Sequence, residues 1–222
     1  MLILALDTTT AAGSVALANE GRVLEVSAIP PGEPIATHVP GDLIALLERH
    51  AVSLHGIDVF AVATGPGSFT GLRIGIATMQ GLALAERKPL VGVSAFDALA
   101  AIAAANHVAT WVDAWRGEIY ASEYEDGRVV LEPMVASPEI VLAAMRHRDA
   151  LFIGDAAVKY RDRVPRVVEP TPLVAGAIAS LAYARAANGE LPPPHAIRPL
   201  YVRRPDAELA RDARQLSERP TA

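Results

Sequence analysis

The chain has 222 residues, no cysteine and a formal net charge of −5 at pH 7. The lack of cysteine excludes a disulfide framework, thiol catalysis and cysteine-ligated zinc. The negative net charge argues against tight nucleic-acid binding by this chain alone, because such binding uses a basic surface to neutralise phosphates. The sequence has no apolar run near the roughly 18 residues of a membrane span. It also reaches Asp7 without a basic leader, so we expect a cytoplasmic protein with no membrane contact.

Residues 1–105 begin with three short apolar runs and continue with alternating helix and strand patterns. The predicted strands are 2–7, 14–18, 22–29, 59–64 and 89–93. The predicted helices are 39–50, 73–87 and 95–105. Three strands followed by helix–strand crossovers are typical of a ribonuclease H-like unit.

The second half repeats this pattern with fewer elements. Strands are predicted at 110–113, 118–124, 128–135 and 151–153, with helices at 138–147 and 174–188. A Gly-Arg-Val triplet begins fourteen residues after Asp7, which closes the first strand, and another begins fourteen residues after Asp113. The shared register and strand order predict a duplicated unit.

These patterns together predict an α/β fold of two ribonuclease H-like lobes. Two such lobes form the architecture of the actin, heat-shock-chaperone and sugar-kinase ATPases, and the second lobe is reduced here. The predicted domains are an N-terminal lobe at 1–105, a C-terminal lobe at 106–203 and a charged tail at 204–222. The tail mixes both charge signs without an apolar stripe, a composition typical of disorder.

Two strand-end turns are candidate phosphate and metal sites. In an ATPase of this architecture the first Asp helps to hold a metal ion, which makes Asp7, Thr8, Thr9 and Asp113 a candidate nucleotide site. An Asp and Thr turn that only closes a strand is the alternative. After Asp113 stand Trp115 and Arg116, where a phosphate turn needs small residues, and we expect this pair to narrow or fill the cleft.

The glycine-rich segment 65–75, GPGSFTGLRIG, lies between a predicted strand and helix. It is neither a Walker loop nor a dinucleotide fingerprint, since it lacks the Lys-Ser or Lys-Thr pair and the third glycine comes one residue late. A structural turn capped by Ser68 or Thr70 remains the general alternative.

The helix after this segment is apolar on two faces, which predicts that a second surface packs against another lobe or protein. Small residues along it would permit close helix approach. The six histidines show no spacing typical of a metal site, and we expect no metal from them.

On these residues the chain resembles the TsaB (YeaZ) family over residues 1–203. The resemblance rests on ILALDTTT at 3–10, on SVAL at 14–17, on segment 65–75, on the Asp113 turn with GEIY at 117–120, and on PLYVR at 199–203. It implies a role in placing a threonylcarbamoyl group on the adenosine beside the anticodon of tRNAs that read codons beginning with A. In that family the related subunit TsaD is the catalyst and holds a metal through two histidines. Ala95 and Leu99 occupy the corresponding positions here and cannot ligate metal.

The resemblance therefore implies a non-catalytic scaffold, a degenerate paralogue of the catalyst, that docks on TsaD, works with TsaE and meets tRNA only within the complex. Alone, it is expected to form a homodimer. No cofactor would be required, and any ATP or ADP with Mg would be bound weakly or shared. The expected partner interface is Val39, Leu43, Leu46, Phe69, Arg73, Ile76, Ala77, Met79, Gln80 and Ala83. The alternative is a standalone enzyme of the ATPase-fold superfamily, either a phosphotransferase or a glycoprotease-like hydrolase.

Overall fold

The computed structural model describes residues 1–10, 13–30, 35–169 and 173–203. The strands are β1 Leu2–Asp7, β2 Ser14–Asn19, β3 Arg22–Ala28, β4 Val59–Ala63, β5 Leu90–Val93, β6 His107–Asp113, β7 Ile119–Glu125, β8 Arg128–Ala136 and β9 Leu151–Ile153. The helices are α1 Ile35–Arg49, α2 Phe69–Glu86, α3 Ala95–Ala103, α4 Pro138–Ala144, α5 Asp155–Lys159 and α6 Ala175–Ala187. The predicted tail at 204–222 lies outside the described residues.

The nine described strands form two sheets with matching topology. The first has the order β3-β2-β1-β4-β5, and the second has the order β8-β7-β6-β9. In each sheet the first three strands are antiparallel, and the fourth pairs in parallel with the first. This arrangement confirms the predicted α/β fold of two ribonuclease H-like lobes with a smaller second sheet.

The two halves also share their turns. Glu20-Gly21 and Asp126-Gly127 join the second and third strands of each sheet, and all four residues have positive φ. Two successive positive φ values are typical of the type I′ turn, whose twist matches that of a hairpin. The glycine of each repeated Gly-Arg-Val triplet therefore supplies a left-handed backbone position, which supports the duplication read from the sequence.

Helices cover both faces of the first sheet. On one face α1 and α2 bury apolar side chains such as Leu46 and Met79 against Leu4 and Phe60. On the other face α6 packs across the strands of the sheet, and α3 lies between α6 and the second sheet. Both helices belong to a cluster that also takes in Val108 and Ile153 of the second sheet. The two sheets are therefore joined by one continuous apolar core.

The placement of α6 corrects the sequence interpretation, which assigned residues 174–188 to the second lobe. The helix packs across β1 to β5 of the first sheet. At its start the backbone N–H of Ala175 donates a hydrogen bond to the buried Ser14 hydroxyl at 3.2 Å. The apolar residues of α6 predict a buried helix, but they do not indicate which sheet it covers.

The last described residues, 197–203, connect the two lobes. The N–H of Leu200 donates to the carbonyl of Thr64 at 2.7 Å in the first lobe. Arg203 donates to the carbonyl of Ala114 at 3.1 Å and pairs with Glu118 in the second lobe. Within the described ranges no helix is both long and apolar enough to cross a bilayer.

Candidate functional site

Asp7 lies in a closed turn at the end of β1. Its carboxylate is inaccessible to solvent. One oxygen accepts hydrogen bonds from the N–H and hydroxyl of Thr9, at 2.8 and 2.6 Å, and the other accepts from the Thr10 hydroxyl at 2.6 Å. Burial raises the pKa of the Asp7 carboxyl, and the bonds from Thr10 and Thr9 act in the opposite direction. Both oxygens therefore accept hydrogen bonds from donors of the turn itself.

The glycine-rich segment packs directly onto this turn. The Thr8 hydroxyl donates to the carbonyl of Gly71 at 2.7 Å, and the N–H of Ser68 donates to the carbonyl of Thr9 at 2.9 Å. A Cβ at Gly71 would lie 2.0 Å from the Thr8 carbonyl oxygen, and one at Gly75 would lie 2.2 Å from the Thr8 hydroxyl. Ser68 caps α2 by accepting from the Gly71 N–H at 3.2 Å. These glycines therefore allow close contact between two parts of the same lobe.

This geometry predicts unequal effects for two substitutions at Asp7. Asp7→Ala removes the acceptor of three buried donors and should lower the free energy of unfolding by about 2–4 kcal/mol. Asp7→Asn keeps an acceptor oxygen and removes a charge that burial disfavours, so it should cost less than half as much. Urea unfolding followed by circular dichroism measures both values. Equal stability of the two variants would contradict the structural role of this carboxylate.

Asp113 stands at the corresponding end of β6. One of its oxygens accepts from the N–H of Trp115 at 3.0 Å, the same bond to the second following residue that Asp7 makes. The other oxygen accepts from the ammonium group of Lys159 at 2.8 Å, in an ion pair. The hydrogen bond to Asp113 raises the pKa of Lys159. A lysine ammonium therefore neutralises the carboxylate that would otherwise attract a metal ion.

Trp115 and Arg116, the pair expected to narrow or fill the cleft, lie in the turn that follows Asp113. Both residues have positive φ and are exposed, and the Trp115 residue is 51% accessible. The turn is closed by Lys159 and by Asp155, whose carboxylate accepts from the N–H of Asp113 at 2.9 Å. Burial raises the pKa of Asp155. Each strand-end aspartate is thus satisfied within its own lobe.

Ala95 begins α3 and Leu99 lies in its middle; both are completely buried, and Leu99 belongs to the core that joins the two sheets. Ser94 caps this helix by accepting from the N–H of Phe96 at 3.1 Å. The two positions that resemble a histidine pair in the catalytic relative therefore contribute to packing in this chain.

Most residues of the expected partner interface are buried inside the first lobe. Six of them pack under α1 and α2 with at most 5% accessibility, and they are Val39, Leu43, Leu46, Ile76, Met79 and Ala83. Their assignment to an exposed docking surface is therefore wrong. Gln80 is partly exposed and donates to the carbonyls of Pro194 and Ile197, at 2.9 and 3.2 Å, so it holds the C-terminal segment.

The remaining interface residues, Phe69, Arg73 and Ala77, form one stripe along α2. The stripe continues through Gly81, Leu84 and Ala85, and we call these six exposed residues the α2 outer face. Phe69 and Leu84 are 48% and 57% accessible. The helix α2 is thus apolar on two faces, as the sequence predicted. One face lies in the core and the other lies in solvent.

Tyr201 extends the α2 outer face at its N-terminal end. Its ring lies 5.8 Å from the Phe69 ring, and its hydroxyl accepts a hydrogen bond from Arg73 at 3.2 Å. The Arg73 guanidinium lies 3.9 Å from the Phe69 ring centroid. Sequence reasoning missed Tyr201, as it missed Lys159 beside Asp113, because the partners are separated by 128 and 46 residues. Neither pair leaves a local signal in the sequence.

A family model described as "TsaD: tRNA N6-adenosine threonylcarbamoyltransferase" matches residues 42–150. The tRNA threonylcarbamoyladenosine biosynthesis protein TsaB of Escherichia coli (strain K12) is 42% identical over 129 residues. That match covers 56% of this chain and 55% of the E. coli protein, so the chain matches about half of that relative's length.

Solved structures extend the similarity to nearly the whole chain. YeaZ from Pseudomonas aeruginosa has a TM-score of 0.77 and 33% identity, covering 90% of this chain and 99% of that one. Component A of the (R)-2-hydroxyglutaryl-CoA dehydratase of Acidaminococcus fermentans has a TM-score of 0.55 at 11% identity, covering 84% and 99%, which is a likeness of fold alone. At this identity and coverage of YeaZ, and with the fold and turns described above, the chain belongs to the TsaB (YeaZ) family.

Proposed function

We propose that this chain is a non-catalytic subunit of a complex that makes threonylcarbamoyladenosine in tRNA. The relatives named TsaB are described as tRNA threonylcarbamoyladenosine biosynthesis proteins. The observation that carries the non-catalytic role is the state of the two strand-end carboxylates. Asp7 is enclosed by threonine donors and Asp113 is paired with Lys159, so neither offers the open oxygen ligand that a catalytic Mg²⁺ needs.

The same geometry argues that no nucleotide is required by this chain alone. The phosphate turn after Asp7 is covered by the start of α2, since Gly67, Gly71 and Gly75 approach the backbone and hydroxyls of Thr8 and Thr9. A phosphate would have to displace this contact. Any ATP or ADP with Mg would then be held weakly, or shared with another subunit of the complex.

The proposed partner surface is the α2 outer face, and the proposed partner is TsaD. Alanine and glycine at positions 77, 81 and 85 would let a second helix approach closely, while Phe69 with Arg73 offers the aromatic and arginine chemistry enriched in binding hot spots. A large exposed apolar stripe on a soluble protein typically marks an interaction surface. Arg73 and Glu86 are the charged residues among the eighteen of α2.

The similarity to the threonylcarbamoyltransferase model over residues 42–150 spans α2, so that enzyme family has a counterpart of this helix. A pair of equivalent helices can pack as an isologous two-fold contact in a homodimer, and a related chain can replace one copy. We therefore propose that the chain is a homodimer when alone, in the cytoplasm, and exchanges this contact for TsaD. TsaE and tRNA would join that assembly, because the charge of −5 disfavours tRNA binding by this chain alone.

Reconstitution tests the proposal. Purified TsaD and TsaE are mixed with tRNA, ATP and a threonylcarbamoyl donor, with and without this chain, and modified adenosine is measured by mass spectrometry. We expect modification to depend on the chain and to persist with Asp113→Asn, and we expect the chain alone to give neither transfer nor ATP hydrolysis. Robust ATP turnover by the re-purified chain, lost in Asp113→Asn, would instead support a standalone phosphotransferase or hydrolase.

A further inference from the structure

The second lobe brings two histidines and a glutamate together at one end of its sheet. His107 begins β6, and Glu125 ends β7 as its direct cross-strand partner. His147 follows α4, and its Nε2 atom lies 3.5 Å from an oxygen of Glu125, while the Nε2 atom of His107 lies 3.6 Å from the same oxygen. The potential ligand atoms of all three side chains fall within 4.8 Å of one another.

From this cluster we propose a binding site for a divalent transition metal ion, with zinc as the test case. Ligands that lie about 2.0–2.2 Å from a zinc ion in tetrahedral geometry are separated from one another by roughly 3.3–3.6 Å. The distances from the Glu125 oxygen to the Nε2 atoms of His107 and His147, 3.6 and 3.5 Å, lie within this range. Two imidazoles and one carboxylate also form a donor set that zinc accepts, with a fourth position left for water.

The His147 backbone is held in place by a carboxylate that serves no other described role. Glu123 is fully buried, two residues before Glu125 on the same side of β7. Its two oxygens accept hydrogen bonds from the N–H groups of Arg146 and His147, at 2.9 and 2.7 Å. This contact fixes the backbone of His147 beside the sheet end, so the three side chains are held near one another before any ion binds.

An ion can reach this cluster from solvent. The side chains of His107, Glu125 and His147 are 36%, 41% and 26% accessible. Glu125 also lines a surface cavity of about 380 Å³ with Asp126, Arg128 and Val130. The two imidazole rings stack at 3.8 Å between centroids and 8° between planes. Coordination requires each ring to tilt toward the shared ion, a rotation about a broad side-chain torsion that partial exposure permits.

Isothermal titration of the full chain with Zn²⁺, in a buffer that does not chelate zinc, tests the site. We expect one equivalent to bind with a dissociation constant of about 1–10 μM at pH 7.5, because three protein ligands lie close together and need only side-chain rotation to converge. His107→Gln and His147→Gln should each weaken binding by about tenfold or more. His55→Gln is the matched control, since His55 pairs with Glu86 in the first lobe at 3.1 Å.

Circular dichroism of each variant establishes folding, and Glu125→Gln provides a near-isosteric third variant. X-ray absorption at the zinc edge of the wild-type complex should show nitrogen neighbours from imidazole, which a carboxylate-only surface site would lack. Binding weaker than about 100 μM in the wild type overturns the proposal, as does equal affinity of wild type, His107→Gln and His147→Gln. Loss of affinity in His55→Gln, with both other histidine variants unchanged, would move the site to the first lobe and also overturn it.

Discussion

Ala77→Arg should leave the protein folded and abolish the binding to TsaD that we propose. Ala77 is exposed at the middle of the α2 outer face, so an arginine there can extend into solvent in the monomer. In a helix–helix contact the same side chain would hold an unpaired charge between apolar surfaces. We expect at least a hundredfold loss of affinity, about 3 kcal/mol, and a shift of the proposed homodimer to monomer. Light scattering gives the mass, and titration against TsaD gives the affinity.

Ile140→Arg is the matched control for this substitution. Ile140 lies on α4 of the second lobe and is 58% accessible, so it places the same charge on an exposed apolar position away from α2. We expect it to bind TsaD as the wild type does. Met79→Arg is unsuitable as an interface test, because Met79 is fully buried in the first lobe and the variant should unfold. Wild-type binding by folded Ala77→Arg would exclude the α2 outer face as the docking surface.

Gly71→Ala should destabilise the protein by about 3 kcal/mol or more. The added methyl group would lie 2.0 Å from the carbonyl oxygen of Thr8. Because that oxygen belongs to the backbone of the Asp7 turn, the contact can be relieved only by moving α2 away from the turn. The movement would break the hydrogen bond from the Thr8 hydroxyl to Gly71 and loosen the donors that surround Asp7. Denaturant unfolding measures the loss.

Gly81→Ala is the control for this substitution. It makes the same change on the same helix, at a position where the added methyl group meets no other atoms. A Cβ at Gly81 meets no atom within 4 Å, and alanine is the better helix former by about 1 kcal/mol. We therefore expect this variant to be as stable as the wild type or more stable by up to that amount. Equal stability of Gly71→Ala and Gly81→Ala would show that the close approach of α2 to the Asp7 turn does not require a glycine at position 71.

Local sequence patterns predicted most of the fold. The alternation of apolar runs predicted the nine strands, and all of them are found, because a strand buried in a sheet carries its own apolar signature. The repeated register around Asp7 and Asp113 predicted two related lobes, and the matching sheet orders confirm that architecture. The short helix α5 was missed, since five residues are too few to show a helical period.

Less of the candidate site could be predicted from the sequence. Composition along α2 indicates two apolar faces but does not indicate which one meets the sheet, so buried residues such as Met79 were placed in the interface. Trp115 and Arg116 were expected to narrow or fill the cleft because of their size, but the sequence did not predict their positive φ values or the 51% accessibility of Trp115. Side-chain direction depends on backbone conformation, which residue size does not reveal.

The sequence by itself determined most of the secondary structure, the duplication and the family, because each depends on residues that are close together or recur at a fixed spacing. Only the tertiary structure decided that α6 covers the first sheet, that Lys159 neutralises Asp113 and that His107, Glu125 and His147 converge. These contacts join residues 18 to 161 positions apart. The pairing of strands and the closure of the core set such contacts, and no local pattern carries information about them.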